Sequence, residues 1–367
     1  MGHNMPLFDL APKDTPNTLF GREEEMAELI RLIDARRWVA VLGPRMVGKT
    51  SLVKVAQARM SRPGAYVNLW GVKSVQGLLE NLVHGINESR SLVSKIKGAI
   101  HHVDGITVGP AGLSVAKATQ PVGMTWELFD LIGRESKDCL FVLDEIQELG
   151  PSSGALLKLL GRLFNTHPNL VFVFTGSKFG LMRSLLEPGG SSPLYGRSPV
   201  TFSLEPFDRT RAEEFLRRGA KQYNLTLSNS DLDTIVGGPL DGTPGWLTLL
   251  GNNLAIRRLS LDKALSETIR EGKHVAGDEI RHFLQGQGRD PDLYWPALKA
   301  AALGLGWSAI RSAMEISTGR HINTATVHRV LLGLQAEHLV FQDSKVYRLQ
   351  DPMVRAFVSD APKMPVE

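Results

Sequence analysis

The chain has 367 residues, room for two or three domains, and its 43% hydrophobic and 22% charged residues are the proportions of a globular protein. A formal charge of +4 is mildly basic and permits a nucleic-acid partner without demanding one. The single cysteine, Cys139, excludes an intrachain disulfide and reads as a small core residue. No apolar run reaches membrane-spanning length, and the N-terminus lacks a basic segment followed by an apolar core. The expectation is a cytoplasmic protein with no membrane partner.

Residues 1–18, rich in Pro, Asp and Asn, read as an arm. In "REEEMAELIRLIDARR" the apolar residues Met26, Leu29, Ile30 and Ile33 recur at helical spacing. "WVAVLG" (38–43) is a short apolar run ending in Gly, a buried strand, and "TSLVKVAQARM" returns to helical periodicity. "AYVNLWGV" (65–72) predicts a second strand and "VQGLLENLVHGI" a helix. "DCLFVLDEI" (138–146) and "NLVFVFTGS" (169–177) are continuous apolar runs, as strands buried on both faces require. "SPVTFSLEPF" (198–207) alternates and supplies a fifth strand. Strands alternating with helices predict an α/β fold, a five-stranded parallel sheet covered on both faces. Between the second and third strands, Ile106, Val108, Leu113 and Val115 alternate around Gly109-Pro110. The segment 103–123 therefore predicts a projecting hairpin, either a structural flap or a partner-binding element.

After Pro206 the pattern is helical to about residue 285, interrupted by "GPLDGTPGWLTLLG". "QGQGRDP" (285–291) reads as a linker. Beyond it come three short helical stretches, "YWPALKAAAL", "WSAIRSAMEI" and "NTATVHRVLLGLQAE". Two strands around an Asp-Ser turn follow in "HLVFQDSKVYRLQD", and three helices plus a hairpin is the winged-helix pattern. The expected domains are a P-loop core over 1–204, a helical lid over 205–289 and a winged helix over 290–367.

"GPRMVGKTS" (43–51) is a full G-x-x-x-x-G-K-[ST] match set between a strand and a helix. Gly43 and Gly48 let the backbone wrap so that its N–H groups point at phosphate, with Pro44, Arg45 and Val47 completing the loop. The helix N-terminus adds its positive end, where Ser51 also lies. Lys49 is placed to reach the β- and γ-phosphates, and the Thr50 hydroxyl to hold Mg²⁺. "LFVLDE" ends in Asp144, placed to hold Mg²⁺ through water, and Glu145, placed to polarise an attacking water. In "TGS" (175–177) both Thr175 and Ser177 qualify for a position beside the γ-phosphate, with Ser177 preferred.

These motifs, in this order, resemble the archaeal ATPases of the STAND/AAA+ class, relatives of archaeal origin-recognition ATPases. The resemblance rests on "LFGREEE", "GPRMVGKTS", "VLDEIQEL", "FTGS", "SPLYGR", "LEPF" and "LDGTPGWLTLLG", with a winged helix last. It implies that Gly21, Arg22 and Glu25 lie against adenine. It implies also that Gly242-Thr243-Pro244 is the Gly-x-Pro motif closing the lid on the base, with Pro244 in contact. Arg197 of "SPLYGR" is a candidate arginine finger, in cis or across a subunit boundary, or else a surface arginine. The helix after Pro244 lacks the second-sensor arginine of many AAA+ lids, which disfavours a ring motor. Met46 replaces a basic or polar loop residue, with little consequence expected because backbone holds phosphate.

The expectation is an ATPase: an Mg-ATP-binding, nucleotide-dependent switch with ATP/ADP and Mg²⁺ as cofactors and slow hydrolysis. The alternative is a DNA-binding ATPase of replication-initiator or mobile-element type, using the winged helix. A protein partner or self-association is open in either case.

Overall fold

The structure is a computed structural model. It describes residues 6–365 except 61, 104, 110–111, 116–119, 177–181, 183–184, 187, 191, 286–289 and 338. The expected turn at Gly109-Pro110, residues 286–289 of the expected linker, and Ser177 fall wholly or partly outside the described residues.

The apolar runs form five strands: β1 (Val39–Leu42), β2 (Gly64–Asn68), β5 (Cys139–Asp144), β6 (Leu170–Thr175) and β7 (Val200–Ser203). They make one sheet in the order β2-β5-β6-β1-β7, every neighbouring pair parallel. All residues of β1, β5 and β6 are buried, which is why their sequences do not alternate. β7 is one of the sheet's two edge strands and does alternate. β2 is shorter than its apolar run suggests: the chain turns at Leu69–Gly71, where Gly71 adopts φ +74.

The helices α1 (Glu23–Asp34), α2 (Lys49–Met60), α3 (Val75–Glu88), α4 (Arg90–Ile96), α5 (Pro121–Glu135) and α6 (Ser153–Thr166) belong with this sheet. The core is aromatic around β6, with Trp38 edge-on to Phe172 at 4.8 Å and Phe129 edge-on to Phe141 at 5.0 Å. Such pairs each add roughly 0.5–1.5 kcal/mol beyond their burial.

The 103–123 segment forms a hairpin, β3 (Ile106–Gly109) and β4 (Gly112–Val115), paired antiparallel with Val108 opposite Leu113. It does not project freely. Ile106 and Leu113 are buried in the core, and the Asn87 amide of α3 both donates to the Leu113 carbonyl and accepts from its N–H, each at 2.8 Å. The alternation places Thr107 and Ser114 on the outer face, where their hydroxyls meet at 2.8 Å.

Packing divides the chain into two units. One holds the sheet and comprises Pro12–Gly43 and Gly48–Leu204. The other comprises the described residues of Met1–Ala11, Pro44–Val47 and Glu205–Glu367. This second unit is helical: α7 (Arg209–Gln222), α8 (Asn229–Val236), α9 (Pro244–Ala255) and the long α10 (Leu261–Leu284). α11 (Pro291–Ala302), α12 (Trp307–Thr318), α13 (Thr324–Ala336) and the antiparallel hairpin of β8 (Val340–Asp343) with β9 (Val346–Leu349) then follow.

Two features of this unit were not legible as such. The arm is not loose: Phe8 is 1% exposed, stacked on Tyr223 and edge-on to Phe215. Gly219 and Gly251 admit it, because a Cβ at either would come within 2.4 Å of the Phe8 ring. A last helix, α14 (Pro352–Asp360), is capped by Asp351 and packs on α10. There Gly272 and Gly277 leave space for Met353 and Phe357.

Candidate nucleotide site

In the sheet unit, β1 ends at Leu42 and the chain turns into the glycine loop. Gly43 has φ +146 and Gly48 φ +101, values that glycine adopts without strain. At Gly48 a Cβ would meet nothing within 4 Å, so conformation and not space requires glycine there. α2 begins at Lys49, whose side chain is buried and donates from Nζ to the Gly43 carbonyl at 2.9 Å. The Ser51 hydroxyl accepts from the Lys13 amide at 3.1 Å.

The carboxylate of Asp144 is the centre of the polar cluster. It is 3% exposed, at the carboxyl end of β5. The Thr50 hydroxyl donates to Oδ2 at 2.9 Å, and the Thr175 hydroxyl donates to Oδ1. A third donor is the Tyr66 phenol of β2, also on Oδ2. Burial and the neighbouring Asp144 carboxylate push this phenol far above its ordinary range, so it remains a proton donor. A buried carboxylate is tolerable because it is satisfied by several donors.

Glu145 follows with φ +58, a left-handed conformation rare for a non-glycine residue. Its amide donates to Thr175 Oγ1 at 3.2 Å, and its carboxylate accepts from the Gln147 side-chain amide. Gln147 Oε1 is buried with no hydrogen-bond partner among the described residues, and Gly176 makes room for it. Thr175, the less favoured of the two candidates in "TGS", is thus tied to both Asp144 and Glu145. Gly21 adopts φ +64, and the buried Arg22 pairs with Glu25 at 2.7 Å at the start of α1.

Arg197 is not brought to the loop of its own chain. β7 runs parallel to β1, with the Val200 amide on the Trp38 carbonyl at 2.8 Å. Arg197 precedes that strand, exposed, its guanidinium 5.8 Å from the Phe164 ring centre, and Phe164 in turn lies 5.0 Å from Trp38. It therefore sits at the amino ends of the strands. The phosphate loop leaves the carboxyl end of β1, roughly 13 Å away at about 3.3 Å per residue. This geometry removes the cis form of the arginine-finger reading.

The loop residues Pro44–Val47 belong by packing to the helical unit. Arg45 pairs with Glu279 of α10 at 2.8 Å. Met46, at φ +61, accepts the Gly245 amide on its carbonyl at 2.8 Å. Pro244 opens α9, and Gly242 before it, at φ +65, has no room for a Cβ because the Phe207 carbonyl oxygen would lie 2.1 Å away.

The oxygen donors suit a magnesium ion. Thr50 and Asp144 converge as a hydroxyl and a carboxylate, the hard ligands this ion prefers with water completing its shell. Tyr66 and Gln147 were missed from the sequence. The signal for the first was a polar-tipped aromatic within an apolar strand, since a buried tyrosine hydroxyl usually finds a partner.

Residues 19–250 match a family described as an ATPase domain predominantly from Archaea, and the chain belongs to it. Its structure is similar to the Walker-type ATPase of Pyrococcus abyssi, at 27% identity and a TM-score of 0.75, covering 96% of this chain and 99% of that one. The ORC2 protein of Aeropyrum pernix, in ADPNP–ADP complexes, shares the fold at 18% identity and a TM-score of 0.60, covering 96% and 95%. No curated protein matches the sequence. No helix among the described residues is long and apolar enough to cross a membrane.

Proposed function

We propose that this member of the ATPase family is a nucleotide-dependent switch that binds Mg-ATP and hydrolyses it slowly. The observation that carries the reading is the double tie of the loop tip to the helical unit: Arg45 to Glu279, and Met46 to Gly245. Phosphate bound by the loop amides would bear directly on residues 44–47. Their displacement would then be felt at the start of α9 and along α10, on which α14 packs.

The chemistry follows from the residues. Lys49 would place its cation on the terminal phosphates once drawn from the Gly43 carbonyl. Thr50 and Asp144 would hold Mg²⁺, which when bound neutralises charge on the phosphate oxygens. Glu145 would take the proton of the attacking water, and the open acceptor on Gln147 offers that water a second contact. The other described carboxylate of the cluster, Asp144, is taken up by three hydroxyl donors, and Glu145 is itself engaged by Gln147, which accords with slow turnover.

The test is hydrogen exchange of the full chain with ADP and with a non-hydrolysable ATP analogue, beside a phosphate-release assay. The switch reading expects α9 and α10 to differ in protection between the two nucleotides. Identical protection overturns it, whatever the hydrolysis rate.

A further inference from the structure

Three hydroxyls converge on the Asp144 carboxylate, from α2, β2 and β6. Thr50 and Thr175 stand where the phosphate-loop motif and the strand end place them. Tyr66 belongs to no motif. We propose that Tyr66 is a positioning residue for the metal: its O–H fixes the Asp144 carboxylate in the orientation that Mg²⁺ requires. This rests on the reading of Thr50 and Asp144 as the magnesium residues.

The phenol shares Oδ2 with Thr50, the oxygen nearest the hydroxyl that would bind the ion. With Thr175 on Oδ1, the carboxylate is held at both ends and loses its freedom to rotate. Tyr66 is itself held. The Lys54 ammonium lies 4.5 Å from its ring centre. Its backbone carbonyl lies against α3 at Gly85, where a Cβ would approach to 2.4 Å. Its strand is in register with β5, with Tyr66 opposite Val142 and Asn68 opposite Asp144. The phenol thus reaches the carboxylate from a strand fixed on two sides. Partners of this outer kind orient the ligands of a metal, and their loss typically costs about 10- to 100-fold in metal affinity or activity.

Tyr66→Phe keeps the ring and deletes one O–H. The experiment titrates Mn²⁺, standing in for Mg²⁺, into the full chain saturated with ADP and reads bound ion by electron paramagnetic resonance. ADP affinity in EDTA is measured alongside as a check that the variant is folded. The expected result is Mn²⁺ affinity weakened roughly tenfold or more, with metal-free ADP affinity within twofold of wild type. Equal Mn²⁺ affinity overturns the positioning role and leaves the magnesium site standing. Tighter Mn²⁺ binding also overturns it, because the phenol would then be competing with the metal's own water. Loss of ADP affinity in EDTA overturns it too, by giving Tyr66 a structural role. If neither wild type nor variant binds Mn²⁺ with ADP bound, the proposal falls together with the site reading beneath it.

Discussion

The Gly245 amide donates to the Met46 carbonyl oxygen at 2.8 Å, joining the first turn of α9 to the tip of the phosphate loop. The approach is close enough to exclude a side chain. A Cβ at Gly245 would lie 2.7 Å from Met46 Cβ and 2.8 Å from its carbonyl oxygen. Gly245→Ala is therefore expected to force the two backbones apart, at the cost of about 1–3 kcal/mol typical of overpacking. Calorimetric titration should show ATP affinity lower by at least roughly fivefold, by the same figure. Unchanged affinity would mean that the tie does not shape the loop.

Lys49→Ala should weaken ATP binding about 10- to 100-fold, since a hydrogen bond to a charged group is worth about 1.5–3 kcal/mol and the lysine brings the cation to the terminal phosphates. The same titration, run with ADP and ATP, should show the greater loss for ATP. An equal loss for both would move the lysine away from the γ-phosphate.

Glu145→Gln should keep ATP bound and slow turnover by about 100-fold or more, the usual contribution of a general base. The amide is nearly isosteric and cannot take the water's proton. A rapid-quench assay with equal rates in both chains would assign the base elsewhere.

Much of this site was legible because each part is set by local chemistry. The glycines, Lys49 and Thr50 follow from phosphate geometry, and Asp144 from an acidic residue ending a buried strand. β1, β5 and β6 were readable because burial on both faces leaves unbroken apolar runs, and β7 was readable by its alternation. What sequence could not show depends on tertiary contact. Nothing in "MPLFDLAP" says that Phe8 will be enclosed by Gly219 and Gly251, more than 200 positions on. Tyr66 meets Asp144 only because β2 and β5 are paired, a partnership not encoded in either strand alone. The hairpin was legible as alternation, but not its anchoring by Asn87.

Arg197 lies at the amino ends of the strands, so any finger role must be exercised on a second copy of the chain. Arg197→Ala is expected to slow hydrolysis more than it weakens ATP binding, as for a contact made only in the transition state. Mixing Arg197→Ala with Glu145→Gln should restore part of the turnover, because each chain supplies what the other lacks. A mixture no faster than its components, with Arg197→Ala alone as active as wild type, would leave Arg197 a surface residue beside Phe164.

The C-terminal region, three helices and a hairpin, is expected to bind DNA weakly. From residue 290 onward there are eight basic residues and eight acidic ones, so the region is neutral before histidines. DNA affinity comes largely from phosphates neutralised and counterions released, and a neutral module begins poorly. The structure spends most of the basic side chains internally. Arg311 pairs with Glu315, Arg320 with Asp290, Arg348 with Asp343 and Arg355 with Asp241. Lys299 donates to the Ser359 carbonyl, and its ammonium lies 5.8 Å from the Trp295 ring centre. Of the side chains on α13 and the β8–β9 hairpin, Arg329 and Lys345 have no ion-pair partner among the described residues. The outer face of α13 presents Thr324, His328, Arg329 and Leu332, a mixed surface with one permanent charge. Meanwhile α14 packs on α10, the helix that carries Glu279, so the module already has an intramolecular partner. Fluorescence anisotropy of the full chain with duplex DNA, run across a salt series with ADP and with an ATP analogue, decides the matter. The expected outcome is a Kd weaker than about 1 µM at physiological salt, with a log–log salt slope no steeper than about −2, the counterion release of two free cations. Sub-micromolar binding with a steep slope would promote the DNA-binding reading over the intramolecular one.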